Sequence, residues 1–551
     1  MGNDQGDVPL STARSLPHGD ECSRIGLFLF AFLFFAHTLA AQDVVPDRCG
    51  AGDRSGADRI RRIKQGTITG GRPILALSVE SVDGRFRVHY DTSGPHAVDL
   101  RDSDGNDIPD YIDECLAALE HAWKVEIDTL GYLPPPADGI DGGSPALDVY
   151  VEDLGPMGFY GIATPERMIR QSPTELWVSF LEIDNDYSPL DTIPSGRKSY
   201  TTTGLDALRI TCAHEFHHAV QNGSYAFLPQ HRMLYEMTST WMELRCWPEV
   251  RDWAFYASAL LTRPSSWPLS RSTGNNGYVW GWFGNVLASL PGNVLRSTWE
   301  RIGQARMPYA ALVDACSASG TTIDDAFCVA VESLYRTGSR GTSNAILPGA
   351  QDLPEIAVSS TLEVTGNRSV FSGSMAPFEV RSFRFNLTNP AGDRANADVI
   401  LSLSDGRVLA NDTLRDRQQS YAMTLSSNPS TSDVPIASTG WGVGLTPDAH
   451  CIAVEGIALL ETASPFPQPL DLSSPVLYVP VAGGSVGDSV SVSILDLSMR
   501  PAQPTMMATI SVVERRVVAT MTVDRTITPG TYLLFVDDRR STPSMRKIYI
   551  R

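Results

Sequence analysis

His214-Glu215-Phe216-His217-His218 is the stretch on which the reading of this chain turns. It has the form H-E-x-x-H. On a helix, residues i and i+4 lie one above the other, so the imidazoles of His214 and His218 can reach a single metal ion. Glu215 follows the first of them and points to the remaining coordination position, where a water can sit. Zinc lowers the pKa of such a water from about 15.7 to about 7, and a neighbouring carboxylate can take its proton. The motif predicts a zinc site with His214 and His218 as ligands and Glu215 as general base. His217 reads as an ordinary core or surface histidine.

The flanks fit a helix. Over residues 204–221 the apolar positions are Leu205, Leu208, Ile210, Cys212, Ala213, Phe216, Ala219 and Val220, and Asn222-Gly223 supplies a stop. A second helix is expected over about 231–247, ending before Pro248. It puts Glu236, Thr240 and Glu243 on one face, at i, i+4 and i+7. A catalytic zinc takes three protein ligands and keeps one open position, and two histidines with a glutamate are one known set.

At this point the chain resembles the gluzincin metallopeptidases, in which a helical H-E-x-x-H is followed by a glutamate on the next helix. Here 17 residues lie between His218 and Glu236. Trp241 and Glu243 match the surroundings of the family's third ligand, whereas Met237 and Ser239 stand where the family has small Gly and Ala. The resemblance implies Glu236 as third ligand, with Glu243 either as its substitute or as a partner behind a ligating imidazole. Segments 150–161, 183–187 and 278–326 are similar to a bacterial family of secreted metallopeptidases. That likeness implies a β-sheet stacked on the zinc helix, with an edge strand lining the cleft. It also implies an oxyanion-binding Tyr or His, for which Tyr278 is the candidate and His231, Tyr225 and Tyr235 compete.

The expected reaction is peptide-bond hydrolysis, with Glu215 taking the water proton and delivering it to the leaving amine. Aminopeptidases of this group carry an upstream G-x-M-E-N strand, and no such sequence occurs here. An endopeptidase is therefore favoured over an aminopeptidase. The rival from another class is a catalytically silent surface binding or adhesion protein whose β domains do the work. The intact Glu215 speaks against silence.

A chain of 551 residues is too long for one typical domain. The expected architecture is multidomain, an α+β zincin-like metallopeptidase domain at 76–345 followed by all-β sandwich-like domains at 346–470 and 471–551. The net charge of −19 argues against nucleic acid as a partner and leaves a protein or peptide substrate. Residues 25–36 form an apolar run too short to span a bilayer comfortably, preceded by Arg24 and followed by the small-residue stretch Leu39-Ala40-Ala41-Gln42. Residues 1–41 thus read as a signal peptide, and the mature chain as secreted or displayed at the cell surface with no transmembrane segment. Residues 42–75, with a basic patch at Arg59, Arg61, Arg62 and Lys64, read as an N-terminal arm or pro-segment.

Cys22 falls in the signal peptide, and seven further cysteines remain, so at least one has no partner within the mature chain. Cys316 with Cys328, and Cys212 with Cys246, are the pairings considered for an exported protein.

A second motif, Asp102-Ser103-Asp104-Gly105-Asn106-Asp107-Ile108-Pro109-Asp110, continuing to Asp113, offers oxygens at calcium-loop positions. Asp102, Asp104, Asn106, Asp110 and Asp113 would ligate Ca2+ with the Ile108 carbonyl, and an amphipathic helix follows over about 110–128. Helical patterns recur through 280–345, and short alternating strands rich in Ser, Thr and Gly take over from about 346. The C-terminal segments 531–536 and 546–551 resemble the sorting domains of proteins exported across the outer membrane of some Gram-negative bacteria, which implies secretion machinery as a partner. Gly483-Gly484-Ser485-Val486-Gly487 matches a nucleophile elbow, but a β-patterned segment follows where that elbow needs a helix.

Overall fold

The first element of the architecture is a five-stranded mixed sheet in the order β1-β2-β3-β5-β4. Its strands are β1 (Leu77–Glu80), β2 (Phe86–Tyr90), β3 (Leu147–Glu152), β4 (Gly161–Arg170) and β5 (Leu176–Asp184). The computed structural model describes residues 48, 49 and 71–551, except 367, 389–393, 428–440, 447–450, 456–457, 461–469, 482–486, 497–499, 514–515 and 538–543. The proposed signal peptide, the basic patch of the arm and Ser485 lie outside the described residues. Strands β2, β3 and β5 run parallel, and β1 and β4 close the edges antiparallel. Every residue of β5 is buried, as its near-continuous apolar sequence requires of a strand covered on both faces.

Two helices pack against the sheet and a third packs on the second of them. They are α1 (Asp110–Trp123), which widens into a π-type turn over Lys124–Thr129, α2 (Gly204–Val220) and α3 (Arg232–Cys246). From Ile210 to Val220 every residue of α2 is buried. A helix that is apolar on more than one face belongs inside, and this one sits under the sheet with Phe216 against Phe86 at 5.4 Å between ring centres. The expected stop at Asn222-Gly223 is instead passed in a wider turn, Gln221–Tyr225. The edge strand lies directly on the motif helix. A Cβ built on Gly161 would fall 2.6 Å from Cγ of Glu215 and 2.7 Å from Cγ2 of Thr211, so β4 and α2 approach this closely only because residue 161 is glycine.

The helical half continues through α4 (Asp252–Thr262), α5 (Gly274–Trp280), α6 (Phe283–Ala288), α7 (Val294–Gly303), α8 (Pro308–Ala318) and α9 (Ile323–Tyr335), close to the patterns read from 280–345. Glycines set the α3–α5 contact. A Cβ at Gly277 would meet the Met233 carbonyl oxygen at 2.5 Å and Cβ of Glu236 at 2.6 Å, and one at Gly281 would meet Thr240 at 2.4 Å. The helix that carries Glu236 thus lies backbone-close to the facing helix.

Beyond residue 346 the chain is almost wholly β. A four-stranded sheet runs in the order β12 (Cys451–Glu455), β9 (Arg394–Ser402), β8 (Arg381–Thr388), β6 (Ser360–Thr365), and a ten-stranded sheet in the order β14 (Val476–Pro480), β17 (Arg516–Thr522), β16 (Met506–Val513), β15 (Ser489–Leu495), β18 (Gly530–Asp537), β19 (Ser544–Ile550), β13 (Ala458–Leu460), β11 (Trp441–Thr446), β10 (Gln419–Ser427), β7 (Arg368–Met375). The larger sheet draws strands from both sides of the boundary expected near 470, joined where β13 (Ala458–Leu460) pairs in parallel with β19 (Ser544–Ile550). Each side nevertheless has its own apolar core, one over Val364–Leu445 and one over Leu470–Ile550. The core of the helical half extends past residue 345 to Phe378, Val380, Ile400, Leu409 and Cys451. A disulfide, Cys328–Cys451, ties α9 to β12 (Cys451–Glu455). This corrects the local Cys316–Cys328 pairing, and Cys212 and Cys246 are buried thiols rather than a bridge. Proximity in sequence was a poor guide because the partner strand arrives from the β region. No helix among the described residues is long and apolar enough to cross a membrane.

Candidate metal centre

Helices α2 and α3 cross so that three predicted ligands face one point. Nε2 of His214 lies 3.2 Å from Oε2 of Glu236 and 3.2 Å from Nε2 of His218, which is itself 3.3 Å from the same carboxylate oxygen. Atoms bound tetrahedrally to one ion at the usual zinc distances are about 3.3–3.4 Å apart. All three side chains are buried.

The hydrogen bonds behind the imidazoles make this arrangement compatible with a metal ion. Nδ1 of His214 meets Oε1 of Glu243 at 2.6 Å, and Nδ1 of His218 meets Oε1 of Gln221 at 2.7 Å. The Gln221 amide is oriented by its own NH2, which donates to Thr238 Oγ1 at 2.9 Å and to the Tyr235 carbonyl at 3.2 Å. Both rings therefore carry their proton on Nδ1, as assigned from the network, and present a lone pair at Nε2. Two such lone pairs and a carboxylate oxygen converge. They repel one another unless a cation stands between them. The electrostatics agree. Burial drives the His214 imidazolium down to about 3. For Glu236 burial opposes the charge, but His218, His214 and Arg232 outweigh it and hold the carboxyl well below the usual range. At His218 burial opposes protonation and Glu236 overcomes it, raising the ring's pKa. The cluster asks for positive charge, which a divalent ion supplies.

Glu243 is placed behind His214 rather than at the convergence point, whereas Glu236 is at it. The other oxygen of Glu236 accepts from Arg232 at 3.1 Å. Glu215 stands beside the cluster, and burial raises its carboxyl to about 7, within reach of taking up and releasing a proton near neutrality. Tyr278 is buried on α5 with its ring centre 6.1 Å from that of His214. Its rivals are committed elsewhere. The Tyr225 hydroxyl accepts from Leu133 N at 2.9 Å, and the Tyr235 hydroxyl donates to the Ala226 carbonyl and accepts from Leu228 N. His231 precedes α3 as its cap, with its backbone N–H donating to the Leu228 carbonyl at 3.0 Å. His217 is buried against Glu126, Nδ1 to Oε2 2.7 Å, and burial pushes both toward their neutral forms. It is a core histidine.

Four residues that the sequence reading did not assign complete the centre. Gln221 and Arg232 orient the ligands. Cys49 places Sγ among the ligand atoms, all four of which lie within 4.8 Å of one another. Arg48 forms ion pairs with Glu243 and Asp252. Gln221 sits one turn beyond His218 and was legible in principle, whereas nothing near Cys49 announces its contact with residues 165 positions later.

The acidic loop folds as a tight turn before α1. Asp107, at the position where a calcium hand has glycine, takes φ +67°, and Asp113 enters the first turn of the helix. Asp102 accepts from the backbone N–H groups of Gly105, Asn106 and Asp107, and Asn106 Nδ2 donates to Asp113 at 2.9 Å. Asp104 and Asn106 stay within the turn, Ile108 N donates to Asn106 Oδ1 at 2.7 Å, and Asp110 is turned to Ser103.

Comparison with protein-family models gives no match, and comparison with curated protein sequences gives none.

Proposed function

We propose that this protein is a zinc-dependent endopeptidase of the gluzincin type, acting outside the cytoplasm on protein or peptide substrates. The observation that carries the reading is the convergence of His214 Nε2, His218 Nε2 and Glu236 Oε2 at 3.2–3.3 Å, with Glu215 beside them. A zinc ion held there supplies a Lewis acid and a water acidic enough to lose a proton near neutrality. Glu215 is the acceptor for that proton and the donor to the leaving amine. Its burial next to a cationic centre suits both halves of the task. Tyr278 offers its hydroxyl to the developing oxyanion, and β4, as an edge strand over α2, offers backbone groups to an extended substrate. Glu243 and Gln221 keep the two imidazoles in the tautomer that ligates. Ca2+ at Asp102, Asp104, Asn106, Ile108, Asp110 and Asp113, and export through the C-terminal strands, rest on sequence pattern alone.

The test is zinc content and chelator-sensitive casein cleavage. Glu215→Gln should retain one zinc per chain and lose cleavage, and His218→Ala should lose both. Cleavage by Glu215→Gln at the wild-type rate would overturn the mechanism.

A further inference from the structure

Arg48 and Cys49 come from the arm that precedes the sheet, yet both end in the metal centre. Cys49 is 1 % exposed, and its Sγ lies 3.6 Å from Oε2 of Glu215. That is the place between base and metal where the attacking water belongs. Its backbone is held on the rim. Cys49 N donates to the Tyr278 hydroxyl at 3.1 Å, Tyr160 N donates to the Arg48 carbonyl at 2.8 Å, and Cys49 bridges in parallel to Gly161 at the start of β4. The arm therefore takes up the water position, the oxyanion hydroxyl and the first pairing position of the edge strand together.

Arg48 is the anchor. Its guanidinium sits 5.2 Å from the ring centres of Tyr160 and Tyr256 and 5.6 Å from that of Tyr278, and it pairs with Glu243 and Asp252. Asp252 is steadied by Thr202 Oγ1 at 2.6 Å. A guanidinium with two buried carboxylates and three aromatic faces is a built receptor, and removing the cation alone would leave the carboxylates uncompensated. The arm is fastened again at Arg72, which pairs with Asp138, Asp148 and Glu166 on the sheet side.

We propose that Cys49 is a latch, its thiolate filling the fourth coordination position of the zinc and holding the peptidase inactive until Arg48 and Cys49 leave. The inference rests on the zinc-peptidase reading and adds its regulation. Sulfur is a normal zinc ligand, and three protein ligands plus a thiolate close the tetrahedron. On coordination the thiol proton has an acceptor in Glu215, and on release a water replaces the sulfur. The competing arrangement is a permanently closed structural zinc. A structural site has no use for a carboxylate against its fourth ligand, nor for a tyrosine hydroxyl beside it, and both are here.

The experiment uses the full chain, Arg48 and Cys49 included, loaded with Co2+ for spectroscopy and Zn2+ for activity. The wild type should bind one metal and show a thiolate-to-cobalt charge-transfer band. Cys49→Ala should keep the metal, lose the band and cleave casein roughly ten- to a hundredfold faster, the gain expected if the latch is closed about 90–99 % of the time. Arg48→Ala should weaken the band and raise activity part of the way. Absence of bound metal in the wild type would remove the peptidase reading and the latch together. Bound cobalt without the band would remove the latch alone, and so would a Cys49→Ala chain no more active than wild type, which would mark a structural zinc. If Cys49→Ala fails to fold, the wild-type spectrum still decides.

Discussion

The two glutamates of α3 make the sharpest contrast, because the same substitution should have unequal effects. Glu236 Oε2 touches both ligating nitrogens, at 3.2 and 3.3 Å, whereas Glu243 Oε1 touches neither, meeting the far nitrogen of His214 at 2.6 Å and pairing with Arg48. Glu236→Gln keeps shape and removes the charge at the metal. Structural zinc sites bind with about 10–16 kcal/mol over four ligands, so one ligand accounts for roughly 2.5–4 kcal/mol, or about 10²–10³ in affinity. Glu243→Gln leaves an amide oxygen to accept from Nδ1–H, and losing such a supporting partner costs about 10–100-fold, here nearer the lower figure. Titration of each protein against a chromophoric zinc chelator, with circular dichroism to establish folding, gives both affinities. A greater loss from Glu243→Gln than from Glu236→Gln would refute the ligand assignment.

Three further outcomes follow from the packing. Gly277→Ala should destabilise by about 1–3 kcal/mol and weaken zinc binding, because its methyl group would press on the backbone of α3 at Glu236, seen in thermal melts with and without zinc. Replacing Cys328 and Cys451 by alanine opens a closure of 123 residues and should cost about 2–4 kcal/mol in denaturant unfolding. Burial, with Asp405 nearby, raises Asp324 to about 6, and its Oδ1 has no hydrogen-bond partner. The folded state thus binds this proton more tightly than the unfolded state. The penalty is absent below about pH 4, grows as the pH rises to 6, and is full above that. Asp324→Asn should therefore stabilise the protein at pH 7.5, by about 1 kcal/mol after allowing for partial exposure, and hardly at all at pH 4.5.

What was legible in the sequence follows physical range. The i, i+4 spacing of His214 and His218 is a local property of a helix, and so are the turns that carry Glu236 and Glu243, so α2 and α3 could be drawn from residue spacing alone. The choice between the two glutamates could not, because it depends on how α3 crosses α2, which Gly277 and Gly281 on a third helix set. Cys49 was beyond reach, since its place is set only by the bridge to Gly161 on the strand edge and by the groups that receive Arg48. The β region shows the complementary limit. The short strands beyond about 346 were readable from alternation, but alternation carries no record of partner, and the boundary near 470 separates two cores while one sheet runs through it.

Zinc K-edge absorption on the full chain tests the central claim most directly. The account predicts one zinc per chain, with two imidazole nitrogens and a carboxylate oxygen at about 2.0–2.2 Å and one sulfur at about 2.3 Å. A chain that binds no zinc, or a zinc whose shell contains no imidazole, would contradict it.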